Sequence, residues 1–244
     1  MRRRKTKPVD KGSSVRFRLA AVDYLAAVKE GHKYDELSKK TGLAPAALSR
    51  YVNARVLPTE ARARKLISQL SEIAELGKLV RSKVRVDGLG MVDDTKLLAS
   101  TRLLKLAASE TASYFADVRV DNVVTMASDG IPFATLLSEL LGAPLTIAKK
   151  EREKGVKRFW NFEARIADTG LTVSAYAPID SIQRGANCLI VDDLVRSGET
   201  QEALTGLVKT ARGKVVGYSF LVAITDRWRE RIENGKPVKV FTEL

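Results

Sequence analysis

Thirteen consecutive residues, Cys188 to Thr200, constrain this chain more than any other feature. Cys188-Leu189-Ile190-Val191 is an apolar run of strand type, Asp192-Asp193 places two carboxylates at its end, and Leu194-Val195-Arg196-Ser197-Gly198-Glu199-Thr200 leads into a helical pattern. A strand that ends on charge and turns through Ser-Gly into a helix belongs to an open α/β sheet, whose ligands sit at the C-terminal ends of the strands. The chemistry suits a sugar phosphate. Backbone N–H groups of Arg196 to Thr200, the hydroxyls of Ser197 and Thr200 and the dipole of the following helix can hold a 5′-phosphate, with Gly198 allowing close approach. Asp192 and Asp193 can accept hydrogen bonds from ribose hydroxyls and can bind Mg²⁺ directly or through water.

The flanking residues repeat the same alternation. Asn122 to Ala127 reads as a buried strand, Ser128-Asp129-Gly130 as a turn, and Ile131 to Leu141 as a helix. Pro144 to Ala148 is a further strand, Lys149 to Arg158 a charged stretch, and Phe159 to Ala177 a hairpin; Gly198 to Arg212 is a helix and Val215 to Ile224 a strand. Upstream, Asp94 to Phe115 reads as one long amphipathic helix carrying Leu97, Leu98, Leu103, Leu104 and Leu106. The fold class is therefore α/β, with a mainly parallel sheet flanked by helices.

The first part of the chain is different. Val15 to Glu30 is a helical stripe of Phe17, Leu19, Val22, Leu25, Ala26 and Val28, stopped at Gly31. A second helix begins near Tyr34, with Asp35 and Glu36 complementing its dipole, and ends at Thr41-Gly42; a third runs from Pro45, suited to a first helical turn, to about Asn53. Two short helices joined through a glycine turn make a helix-turn-helix. Leu37, Leu43, Leu48 and Val52 pack it, and Ala46, Ser49, Arg50 and Asn53 form the outward face. The small Ala46 and Ala47 after Pro45 let the helix start approach base edges, Arg50 can pair with guanine or phosphate, and Asn53 or Arg55 can clamp the backbone of double-stranded DNA. Beyond Pro58, Glu60 to Leu70 is a further packing helix.

Charge supports the division. Residues 1–65 hold 17 basic and 6 acidic residues, most of the net +13 of the whole 244-residue chain. A basic part beside a nearly neutral one points to nucleic acid and away from a plain metabolic enzyme. The expected organisation is a basic arm over 1–14, the helix-turn-helix domain over 15–70, a connecting region over 71–90 and the α/β domain over 91–244. No apolar run approaches the roughly 18 to 20 residues of a membrane span. One cysteine, Cys188, and one histidine, His32, leave neither an intrachain disulfide nor a His/Cys zinc cluster, so a cytoplasmic location without membrane contact is expected.

The stretch Asp35 to Asn53 resembles the DNA-binding helix-turn-helix of phage-repressor type. Cys188 to Thr200 resembles the phosphoribosyl pyrophosphate (PRPP) motif of type I phosphoribosyltransferases, a resemblance covering about residues 90 to 225. It implies that Met126 to Pro132, through Ser128, Asp129 and Gly130, is the loop that takes pyrophosphate. It also implies that Lys149 to Gly155, with Lys149, Lys150 and Arg152, is the mobile catalytic loop of orotate-type members. Two departures stand out: Lys154, not histidine, precedes Gly155, and 226–244 carries no base-recognition motif. Trp228 is read as packing at a hood or dimer contact in preference to stacking on a base.

Together the halves resemble phosphoribosyltransferase-like transcription factors, the bacterial purine repressors and their archaeal counterparts. The resemblance implies a homodimer paired through its α/β domains on a palindromic operator, a PRPP or nucleotide effector with Mg²⁺ possible, control of nucleotide synthesis or salvage, and no catalytic residues. The alternative is an active orotate or purine phosphoribosyltransferase whose DNA-binding domain regulates its own operon. A third reading makes the transferase fold a dimerisation scaffold for a basic nucleic-acid-associated protein.

Overall fold

The structure, a computed structural model, describes residues 11–166 and 171–244. Residues 1–10 of the expected basic arm lie outside the described residues. The described residues open with α1 (Lys11–Lys29), α2 (Tyr34–Thr41), α3 (Pro45–Val52), α4 (Glu60–Ala74) and α5 (Leu76–Ser82). A short hairpin, β1 (Arg85–Val86) and β2 (Val92–Asp93), leads to α6 (Thr95–Leu98) and α7 (Thr101–Tyr114). Then follow β3 (Asn122–Met126), α8 (Ile131–Leu141), β4 (Leu145–Ala148), β5 (Phe159–Arg165), β6 (Thr172–Pro178), β7 (Asn187–Val195), α9 (Glu199–Thr210), β8 (Lys214–Ala223) and β9 (Val238–Glu243).

Five strands form one sheet in the order β4-β3-β7-β8-β9, every pair parallel. β5 and β6 make a separate antiparallel hairpin. Side chains alternate between two cores, as strand geometry requires. Val123, Leu189, Val191 and Leu221 join the core beneath α7 and α8, whereas Val124, Cys188, Ile190 and Phe220 join the core beneath α9 and the hairpin.

The expected strands and helices of 122–224 are present; over 94–243 there are three differences. Where one helix was expected over 94–115, the chain breaks at Ser100 (φ −89°, ψ 81°), and α6 is a separate turn; serine and threonine, weak helix formers, sit at the break. β7 continues through Asp192 and Asp193 to Val195, so the carboxylates lie inside the strand and not past its end. β9 is an addition: its residues are almost all half-buried, and it forms the edge strand of the sheet.

In the N-terminal segment α2 ends on Gly42 in the left-handed region (φ 68°), and Pro45 opens α3. Thr59 caps α4 by accepting from the Arg62 N–H. Leu37 and Leu48 are buried and Leu43 and Val52 partly so. α1 starts earlier than expected, at Lys11; its buried face includes Tyr24, while Leu19, expected in the stripe, is 44% exposed. These helices share one apolar cluster with the sheet: Phe17, Leu25, Leu66 and Leu70 belong with Leu104, Phe133 and Leu221. A buried polar link joins them too. Glu110 on α7 accepts from the Tyr24 hydroxyl on α1 (2.5 Å) and from Lys239 Nζ on β9 (3.0 Å). No helix among the described residues is long and apolar enough to cross a membrane.

Candidate active site

The site is assembled by parallel pairing. β3 and β7 lie side by side, Asn122 against Cys188 and Val124 against Ile190, so their C-terminal ends bring Ser128-Asp129-Gly130 beside Asp192-Asp193. The approach is close at Gly130: a Cβ there would sit 2.4 Å from both Asp192 Oδ1 and Thr125 Oγ1. Only glycine fits between the turn and the carboxylate. The Ser128 hydroxyl donates to Asp129 Oδ1 at 2.8 Å.

Asp192 and Asp193 are 6% and 8% exposed. Gln201 Nε2, from α9, donates to Asp192 Oδ2 at 3.0 Å, and the Asp193 N–H to Asp192 Oδ1 at 3.3 Å. Burial pushes both carboxyls above the usual carboxylate range; Asp129 adds to the rise at Asp192, Lys150 opposes it, and Asp192 and Asp94 add to it at Asp193. Asp94 Oδ2 is itself buried without a hydrogen-bond partner, so a proton held by the pair would supply the missing donor. A cluster short of positive charge is suited to a polyhydroxyl ligand or a hard cation. Among the described residues no three His, Cys, Asp or Glu side chains make a complete metal site. The donor set, carboxylate oxygens alone, fits Mg²⁺ that takes its remaining ligands from substrate phosphates and water.

Beyond the pair, Leu194 and Val195 are strand residues, half-buried and buried, and the Val195 carbonyl accepts from the Ile224 N–H. Arg196 is exposed and its Nη2 donates to the Gly90 carbonyl (3.0 Å), tying the loop to the β1–β2 hairpin. Gly198 has φ 92° and packs on the 3₁₀ turn Arg227–Glu230, where a Cβ would lie 2.9 Å from Trp228 Cα. Ser197, Glu199 and Thr200 are half-buried around the first turn of α9, whose N–H groups have no acceptor within the helix.

The charged stretch after β4 divides. Lys150 reaches the field of Asp192, Lys149 Nζ pairs with Glu153 (2.8 Å), and the Arg152 guanidinium lies over the Tyr176 ring (5.6 Å). Trp228 is fully buried edge-on to Phe220, the packed and not the stacking ring. Cys188 is buried and its thiol is pushed up to about 12 by burial, consistent with a core filler. Asp94, Thr125, Gln201 and Arg231 are neighbours of the site that the sequence reading did not single out; only the fold brings them in.

On α3, Pro45, Ala46 and Arg50 are exposed, Ala47 and Ser49 half-exposed; Asn53 and Arg55 follow, also exposed. Asn53 Nδ2 donates to the Ser49 carbonyl (2.8 Å), closing its own helix.

Comparison with known proteins bears on this geometry. A family model, that of the phosphoribosyl transferase domain, matches residues 95–243. The adenine phosphoribosyltransferase of Nitrosospira multiformis is 28% identical over 170 residues, 66% of this chain and 94% of that protein. The purine biosynthesis transcriptional repressor PurR of Bacillus subtilis is 28% identical over 152 residues, 62% of this chain but 53% of the repressor. Among solved structures, the adenine phosphoribosyltransferase of Rhodothermus marinus superimposes with a TM-score of 0.60 at 28% identity, covering 70% of this chain and 99% of that one. The expectation of a domain without catalysis is corrected by the likenesses to the two adenine phosphoribosyltransferases, which run along nearly the whole length of those enzymes.

Proposed function

This chain belongs to the phosphoribosyl transferase domain family, and from that premise we propose that it is an active purine phosphoribosyltransferase, with adenine as the first candidate base. The observation that carries the reading is the juxtaposition of Ser128-Asp129-Gly130 with Asp192-Asp193 and the loop into α9, within a chain similar to adenine phosphoribosyltransferases.

Each part has a task. The first-turn N–H groups of α9 and the hydroxyls of Ser197 and Thr200 hold the 5′-phosphate of PRPP. Asp192 and Asp193 accept from the ribose hydroxyls, with Gln201 fixing Asp192. N–H groups of the 128–130 turn, with Lys150 nearby, hold the pyrophosphate. Asp192 or Asp193 would hold Mg²⁺, which when bound would supply charge neutralisation at the leaving group. As the bond from ribose C1 to pyrophosphate breaks, positive charge grows on the sugar, and a base nitrogen forms the new bond while its proton passes to the departing pyrophosphate or to water. The buried carboxylates stabilise that developing charge. Pyrophosphate release is the test, with PRPP, Mg²⁺ and adenine, hypoxanthine, guanine, xanthine, uracil or orotate in turn. Release with none of these bases rejects the enzyme.

A second activity is supported by the exposed Ala46–Arg50 face, by the basic charge of 1–65 and by the likeness to PurR. The N-terminal helices, as a helix-turn-helix, bind a palindromic operator as a homodimer and adjust nucleotide genes to PRPP supply. A ligand acts on DNA binding only by preferring one arrangement of the two helical units. Operator selection from a random duplex pool, with and without PRPP, tests this part.

A further inference from the structure

The loop that would receive the 5′-phosphate already contains an anion. The Ser197 hydroxyl donates in a short hydrogen bond to Glu199 Oε2, so a donor suited to the phosphate is engaged by a carboxylate of the same loop. Glu199 is largely shielded, its side chain 14% exposed. A phosphate arriving beside it would meet like charge in a partly desolvated place.

A second resting place for the carboxylate is close by. Arg231 Nη2 stands 3.7 Å from Glu199 Oε1, already an ion pair but not at hydrogen-bond distance, while its Nη1 donates to Glu202 Oε2 and to the Arg165 carbonyl at 3.1 Å. A small side-chain rotation would close that gap. Because Ser197 takes Oε2 and Arg231 faces Oε1, turning the whole carboxylate onto Arg231 would convert the ion pair into a charge-assisted hydrogen bond and draw Oε2 off Ser197, freeing the hydroxyl. The receiving wall is fixed, because Gly198 packs against Trp228 and Arg231 Cβ.

We infer that Glu199 is a built-in competitor for the phosphate subsite, resting on Ser197 when the subsite is empty and moving to Arg231 when a phosphate enters. The inference rests on the reading that this loop holds the 5′-phosphate. Its consequence is selectivity. A bare inorganic phosphate gains too little to displace the carboxylate, whereas a ribose phosphate also gains Asp192 and Asp193 and succeeds. A plain first-turn acid stabilising the dipole of α9 would have no such effect.

The test is calorimetry of the full chain with ribose 5-phosphate and with inorganic phosphate. Glu199→Ala and the isosteric Glu199→Gln should each bind both ligands roughly tenfold more tightly, with inorganic phosphate gaining most. Arg231→Met should weaken ribose 5-phosphate binding, and should do so no longer when combined with Glu199→Ala. Unchanged or weaker binding in both Glu199 variants, with native melting behaviour, overturns the competitor. Thr200→Val separates the two layers. If it loses ribose 5-phosphate binding while the Glu199 variants gain nothing, only the competitor falls; if it binds as the wild type does, the phosphate reading falls with it.

Discussion

The hydroxyl of Tyr24 lies 2.5 Å from the Glu110 carboxylate, joining the first helix of the chain to α7 of the transferase fold in a fully buried contact. Burial, with the facing Glu110 charge, raises the pKa of Tyr24 above its ordinary value, so the phenol stays a donor. Tyr24→Phe removes that donor and leaves Glu110 with Lys239. A loss of about 1–3 kcal/mol is expected for an unmatched buried acceptor, read from urea unfolding. A loss under about 0.5 kcal/mol would show the contact to be idle.

Asp192 and Asp193 give the pH behaviour. Their folded pKa values are raised, chiefly by burial, so the unfolded chain gives up these protons first as pH rises. Their contribution is fully present below the ordinary carboxylate range and is lost as pH climbs toward the raised values. Without ligand, the melting temperature of the wild type should therefore fall from pH 5 toward pH 8 more steeply than that of Asp193→Asn. Parallel curves would contradict the buried, proton-holding pair.

The same residues set affinity in the opposite sense. Asp192→Asn keeps the shape and removes a buried charge, so the ligand-free protein should be as stable as the wild type or more so. PRPP binding, measured calorimetrically with Mg²⁺, should fall by at least about tenfold through loss of a charged acceptor. Equal affinity in the two proteins would move the ribose site elsewhere.

Gly130→Ala tests the closeness of the two loops. The new methyl would stand 2.4 Å from Asp192 Oδ1 and Thr125 Oγ1, which forces the turn or the carboxylate aside. Turnover is expected to fall by about a hundredfold, a scale typical of displacement by an ångström. Full activity would mean that the turn is not part of the catalytic arrangement.

Arg50→Ala addresses the N-terminal helices. Arg50 is exposed on α3, away from the apolar face. Its removal should weaken operator binding in a gel-shift titration by about 1–3 kcal/mol while pyrophosphate release is unchanged. Equal shifts for both proteins would take the recognition face off this helix.

The residues legible in the sequence are those whose chemistry is local. Cys188 to Thr200 carries strand, carboxylates, turn and helix start in one run, and Gly42-Leu43-Ala44-Pro45 carries its own turn. What escaped is long-range. Asp94 reads as the start of a helix, and only the hairpin before it carries it to Asp193. Gln201 looks like an ordinary helix residue until α9 lays it on Asp192. Arg231, in a tail without motif, becomes a neighbour of Glu199 because the 3₁₀ turn folds back on Gly198. The lack of a familiar histidine before Gly155 says little about catalysis, because the site is built from several strands and not from that one stretch.

The apolar cluster that runs from Phe17 through Leu70 to Leu104 and Leu221 is shared by the N-terminal helices and the sheet, so the two are expected to unfold as a single body. Stabilisation by a ligand is shared by everything that melts with the site. At a hundred times its dissociation constant, a ligand at the phosphate loop would add about 2.7 kcal/mol to the global unfolding free energy. Amide hydrogens of α1 and α4 that exchange only by global opening would then slow about a hundredfold, reporting sugar-phosphate occupancy from helices that never touch it.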